Sequence, residues 1–266
     1  FVRSGANLGD ADKEKLKKIN SELSVLTSAV GQNLLAETKA FELVVDNKED
    51  LAGLPEGLIN AAAETAKEKG KEGKWVFTLS NPSVMPFLQY ADNRDLRQQI
   101  WNAYQMKGNN DNAQDNKENV IKIANLRLAK ANLLGYPSHA AYVLEEAMAA
   151  NPENAYALLN KLWTPALNKA KVEAADIQKE ISNAGFTFDV APYDWRYYAE
   201  KIRASRFSLN EEELKPYFSL ASVREGAFAT AHKLWGITFV ALNNVPTYHE
   251  DVEVYEVKDK DGSHLG

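Results

Sequence analysis

The sequence contains no cysteine, which excludes a disulfide framework, a thiolate metal site and a cysteine nucleophile. Histidine is scarce, with 4 in 266 residues, so each can be weighed individually as an acid, base or ligand. Basic charge is not in excess. Lysine and arginine total 31 against 37 aspartates and glutamates, a formal net charge of -6, and a nucleic-acid partner needs a basic face that this balance does not supply. No apolar run approaches the ~18 residues of a membrane span, so no membrane partner is expected. A glycine-rich phosphate loop and a G-x-S-x-G nucleophile elbow are also absent. Lack of cysteine suits the cytoplasm. The chain opens at Phe1 without an initiator methionine, so a periplasmic protein that has lost its leader is the alternative.

The residues present suit a folded chain: 45% are hydrophobic and 26% charged, enough apolar material for a core. Leu16, Ile19, Leu23, Leu26, Val30 and Leu34 recur at three- and four-residue steps, predicting a long helix from Asp12 with Asp10 or Asp12 as its cap. Phe41–Val45 reads as a loop or strand, and Lys74–Leu79 as an isolated strand. A short helix is expected from Pro55 to Gly70, and others over Asp95–Met106 and Asn119–Leu134, with an Asn- and Asp-rich loop over 108–116 between them. Pro152 opens the longest helix, running to about Ser182 and broken or kinked at Pro165. Pro192 is expected to start another, and Ser219–Leu234 one more. Ile237–Val240 and Asp251–Val257 read as strands, with a turn at Asp261-Gly262. The fold class is therefore mainly α, with a few short strands mostly near the C-terminal end.

The histidines give little chemistry. His139 lies at a helix start with no ligand at helical spacing, and a capping or solvated role explains it. His232 near a helix C-terminus is accounted for by the helix dipole. His264 stands at the end of the sequence. His249 opens His249-Glu250-Asp251-Val252-Glu253, which reads H-E-x-x-E. A zinc pair at i and i+4 needs a helix. Pro246 before the segment and Val252, Val254, Tyr255 and Val257 after it predict a strand, on which i and i+4 lie roughly 13 Å apart. The apparent zinc motif is thus a decoy. Acidic residues sit mainly beside lysines on helix faces, as in Glu64-Lys67-Glu68-Lys69, a pattern of solvated surface. Trp195, Tyr197, Tyr198 and Phe207 read as helix packing.

Several segments nevertheless resemble a known family in a fixed order. They are Asn33–Thr38 with Phe41-Glu42-Leu43 and Leu51–Pro55; Asn93-Arg94-Asp95-Leu96-Arg97 with Trp101 and Tyr104; Leu126–Tyr136; Tyr193–Lys201; Leu214–Phe218; Tyr248–Val252; and Asp261–Gly266. Through these the chain resembles the M3 zinc metallopeptidases, with the peptidyl-dipeptidases nearest. The resemblance implies a mostly helical, neurolysin-like fold with a deep channel, and a zinc held by H-E-x-x-H and a distant Glu. It further implies residues 1–91 as the N-terminal helical region and 92–266 as the beginning of the catalytic domain. The chain is then expected to be a fragment ending before the zinc site and inactive by itself. No catalytic, cofactor-binding or metal residue is assigned in it, and zinc is expected only in the intact parent enzyme. His249 is the one site residue proposed, on a strand bordering the peptide cleft, although Glu250 stands where family members often carry proline. Expected partners are short peptides for the intact enzyme, and self-association through apolar surface left uncovered. The alternatives are an M3 oligoendopeptidase fragment and a non-catalytic helical protein that binds a peptide or partner.

Overall fold

The computed structural model describes residues 1–207 and 213–266, which form two compact units, Phe1–Arg206 and Phe207–Gly266. In the first unit, α1 (Asp10–Ala40) packs against α5 (Lys117–Leu133). Lys130 reaches Asn20 and Asn33 reaches Asn116, so the two helices run antiparallel. Leu16 is buried, and Ile19, Leu23, Leu26 and Val30 follow it on the covered face, as their spacing predicts. The cap differs from expectation. Gly9 holds that position without a side-chain bond, and Asp10 and Asp12 fall inside the first turn, where their charge suits the dipole.

The main core lies between a two-stranded sheet and three helices. β1 (Leu43–Val45) pairs antiparallel with β2 (Trp75–Phe77), with Val44 opposite Val76. The strand expected to be isolated therefore has a partner. A 3-10 turn (Lys48–Leu51), α2 (Glu56–Glu68), α3 (Asn81–Tyr90) and α4 (Arg94–Gln105) close over it. Leu43, Val45, Phe77, Phe87 and Ile100 meet in this core, with Phe77 and Phe87 edge to face at 4.6 Å. Gly53 is required at its edge. It has φ +84, and a Cβ there would lie 2.2 Å from the Tyr90 carbonyl oxygen.

Beyond α5 come the short α6 (His139–Leu144) and α7 (Pro152–Asn183). α7 continues through Pro165 instead of breaking there. Asn151 caps it by accepting the Asn154 N–H at 2.8 Å. A second cluster gathers Ile177 and Ile181 of α7 with Tyr197 and Tyr198 of α8 (Trp195–Phe207). α8 begins at Trp195, not at Pro192. The Asp194 carboxylate accepts the Ala191 N–H at 3.1 Å, which holds residues 191–194 as a turn ahead of the helix.

The second unit contains α9 (Leu220–Trp235), capped by Ser219 and ended at Gly236 with φ +78. β3 (Thr238–Leu242) and β4 (Val254–Lys258) follow as an antiparallel pair. Phe228 of α9 stacks on Phe239 at 4.0 Å. Among the described residues the structure is mainly helical, with four short strands, and no helix is long and apolar enough to cross a membrane.

Candidate functional site

Among the described residues no three of His, Asp and Glu are grouped to hold a metal ion. His249 is not on a strand. It lies in the connection between β3 and β4, where its Nδ1 accepts the Asp251 N–H at 3.2 Å and its carbonyl accepts the Val252 N–H at 3.2 Å. These bonds turn the chain and delay β4 to Val254, so the strand expected over residues 251–257 starts three residues later. The side chain is largely exposed. His232 sits 3.1 Å from the Ile237 carbonyl oxygen at the end of α9, as a helix-terminal histidine should. His264 pairs with Glu256 at 3.2 Å beside β4. Ser138, rather than His139, caps α6, accepting the Ala141 N–H at 3.1 Å. The His139 ring is half-buried beside Arg127 and Lys130. Burial and then those two cations push its pKa below the usual histidine value.

The buried polar feature of the first unit lies elsewhere, and it unites two of the sequence segments singled out above. Asp194 is fully buried, and all four of its acceptor positions are taken. Oδ1 accepts from Arg94 Nε at 3.0 Å and Arg97 Nη2 at 2.9 Å. Oδ2 accepts from Arg94 Nη2 at 2.8 Å and the Ala191 N–H at 3.1 Å. Arg97, 1% exposed, donates from Nη1 to the Ala91 and Asp92 carbonyl oxygens at 2.8 and 3.1 Å and from Nε to the Tyr193 carbonyl oxygen at 3.4 Å. Its guanidinium stacks over Tyr197 at 4.1 Å, while that of Arg94 stacks over Phe188 at 3.8 Å. Burial alone would raise the Asp194 pKa. The donors of Arg94, Ala191 and Arg97 outweigh it and hold the carboxyl below the usual range. Beside it the Tyr197 hydroxyl donates to Asp92 at 2.6 Å, and burial with that anion pushes the phenol well above its ordinary value. A carboxylate that is ionised at neutral pH with no free lone pair, flanked by a phenol that stays protonated there, is a fastening and not acid–base machinery. It ties residues 92–97 to residues 188–201 through Coulomb attraction in a dry setting.

A second polar construction is open to solvent. Glu37, near the end of α1, accepts from the Asn110 and Asn112 amides at 2.9 and 2.7 Å and from the Gly108 N–H. Burial opposes its charge, yet these three donors prevail and lower its pKa. The bonds fold the 108–116 loop over a cleft of about 410 Å³ floored by Ala36, Phe41 and Leu79. Sequence reading passed over Glu37, although one signal was available. An acid in the last turn of a helix opposes the dipole and needs local donors to compensate.

Residues 87–266 match the model of peptidase family M3. Over 98% of its length the chain is 40% identical to a dipeptidyl carboxypeptidase of Escherichia coli, of which it covers 39%. It is 35% identical over 98% of its length to an organellar oligopeptidase A of Arabidopsis thaliana, covering 34% of that protein. Over its whole length it is 31% identical to oligopeptidase A of Escherichia coli, covering 40% of it. The chain thus spans about two fifths of the length of these curated relatives.

Proposed function

Because the chain belongs to peptidase family M3, we propose that it is part of a zinc-dependent peptidyl-dipeptidase that releases dipeptides from the C-terminus of short peptides. The observation that carries this reading is the 40% identity, maintained over 98% of the chain, to a relative named for that activity. The residues of this chain do not themselves fit a zinc centre. Its histidines are scattered over α6, α9 and the β3–β4 region, with no grouped carboxylates among the described residues to join them. Zinc and the base that activates water are accordingly assigned to the intact enzyme outside these residues, and the contribution of this chain is helical framework.

A second reading, internal cleavage by an oligoendopeptidase, is supported by the 31–35% identity to oligopeptidases A. Mass spectrometry of products from the intact protein and an N-acetylated eight-residue peptide separates the two. Sequential loss of C-terminal dipeptides is expected, whereas cuts at internal bonds regardless of the C-terminus point to the oligopeptidase. Treatment with a chelator should abolish turnover and added zinc should restore it. Activity indifferent to both overturns the zinc assignment.

A further inference from the structure

The cleft walled by the 108–116 loop belongs to no part of the proposed chemistry. Its volume of about 410 Å³ falls within the range of small-molecule sites. Its floor is apolar, from Ala36, Ala40, Phe41, Leu79 and Ala103, and two opposite charges stand on its walls. One is Lys107, half-buried, with its ammonium 4.0 Å above the Tyr104 ring and no carboxylate at ion-pair distance among the described residues. The other is Glu37. Of the four acceptor positions of a carboxylate, three are occupied by the Asn110, Asn112 and Gly108 donors, leaving one on Oε2. Glu37 and Lys107 line the same cleft without pairing.

A cleft with one fixed anion, one unpaired cation and an apolar floor matches a ligand of the inverse pattern. We propose that it binds a short zwitterionic peptide, a free dipeptide with an apolar side chain, with the ligand ammonium on Glu37 and its carboxylate on Lys107. Charge-assisted bonds at both ends supply orientation, and the floor at Phe41 and Leu79 receives the side chain. The three donors matter because they fix the Glu37 rotamer and keep it ionised before ligand arrives. This site rests on the cleft alone and does not depend on the peptidase reading.

Calorimetric titration of the intact protein with Ala-Leu tests it, alongside N-acetyl-Ala-Leu and Ala-Leu-amide and the variants K107M and K107R. The expected result is a saturable Ala-Leu site that weakens about tenfold or more in K107M, the loss of one charge-assisted bond, and that K107R retains. Blocking either ligand terminus should weaken the same site similarly. An isotherm unchanged by K107M, or equal binding of the blocked dipeptides, overturns the proposal. Thermal unfolding of K107M confirms that the comparison is between folded proteins. Peptide hydrolysis measured in parallel keeps the readings separate. Cleavage without a Lys107-dependent site refutes this proposal alone, and the site without cleavage refutes only the proposed function.

Discussion

At the residue scale, Asp194 decides more than any histidine. Its carboxylate is buried with two guanidinium groups, and removing it leaves Arg97 charged and almost inaccessible. Breaking a buried pair from one side costs about 3–5 kcal/mol. We expect D194A to lose stability on that order in urea unfolding, with far-UV dichroism retained at low denaturant. The folded pKa of Asp194 is depressed, so its stabilisation is fully present above the unfolded carboxylate value of about 3.9. It fades as pH falls below that value through the folded pKa. The variant should therefore show a shallower loss of stability than the parent protein as pH falls below about 4. Sequence alone shows Arg94, Arg97 and Asp194 as members of two separate segments. That they meet is a tertiary fact across 97–100 residues, and no local spacing encodes it. His249 errs in the opposite direction. The β-branched residues after it announce a strand correctly, but the turn closed by its own ring nitrogen lies beyond what alternation can reveal.

At the scale of elements, periodicity is a good guide where apolar residues recur on one covered face, as in α1 and α4. It missed α3, whose sequence Asn81-Pro82-Ser83-Val84-Met85-Pro86 carries two prolines. Pro82 falls in the first turn, where no helical donor is needed. Burial of Val84, Phe87 and Leu88 offsets the bond lost at Pro86. The same conflict goes the other way in α7. Pro165 sits mid-helix in a stretch exposed on all sides, where tertiary packing compensates little. Replacing it with alanine should strengthen the helix by about 2 kcal/mol, taken as roughly 3 from restored propensity less ~1 from a freer unfolded chain. Hydrogen exchange of amides 161–169 measures this. Slower exchange is expected, and unchanged protection would mean that the helix absorbs the proline without cost.

At the scale of the whole molecule, one apolar stripe is covered at one end and bare at the other. Leu159, Trp163, Ala166, Ala170, Ile177 and Ile181 share a face of α7 at 3.6-residue spacing. Ile177 and Ile181 are buried against α8, while Leu159 and Trp163 are 59% and 66% exposed. Uncovered area of this kind favours association. The 266-residue chain should therefore sediment as more than a monomer at high concentration. L159K combined with W163E should shift it toward the monomer without loss of helical signal. A concentration-independent monomer in the parent chain would contradict this. The sequence reading anticipated bare apolar surface in general terms. It could not place it on α7, because the pattern that marks a helix face is the same whether that face is covered or not.

The Arg97–Asp194 fastening also bears on synthesis. Arg97 leaves the ribosome 97 residues ahead of the carboxylate that neutralises it, an interval of about 5–20 s at ordinary translation rates. During that time the nascent core of α2, α3 and α4 carries a guanidinium that belongs in a dry interior with no counter-ion yet made. The packing around Arg97 is therefore expected to be completed only after Asp194 has been translated, and slow codons ahead of residue 194 would lengthen the wait.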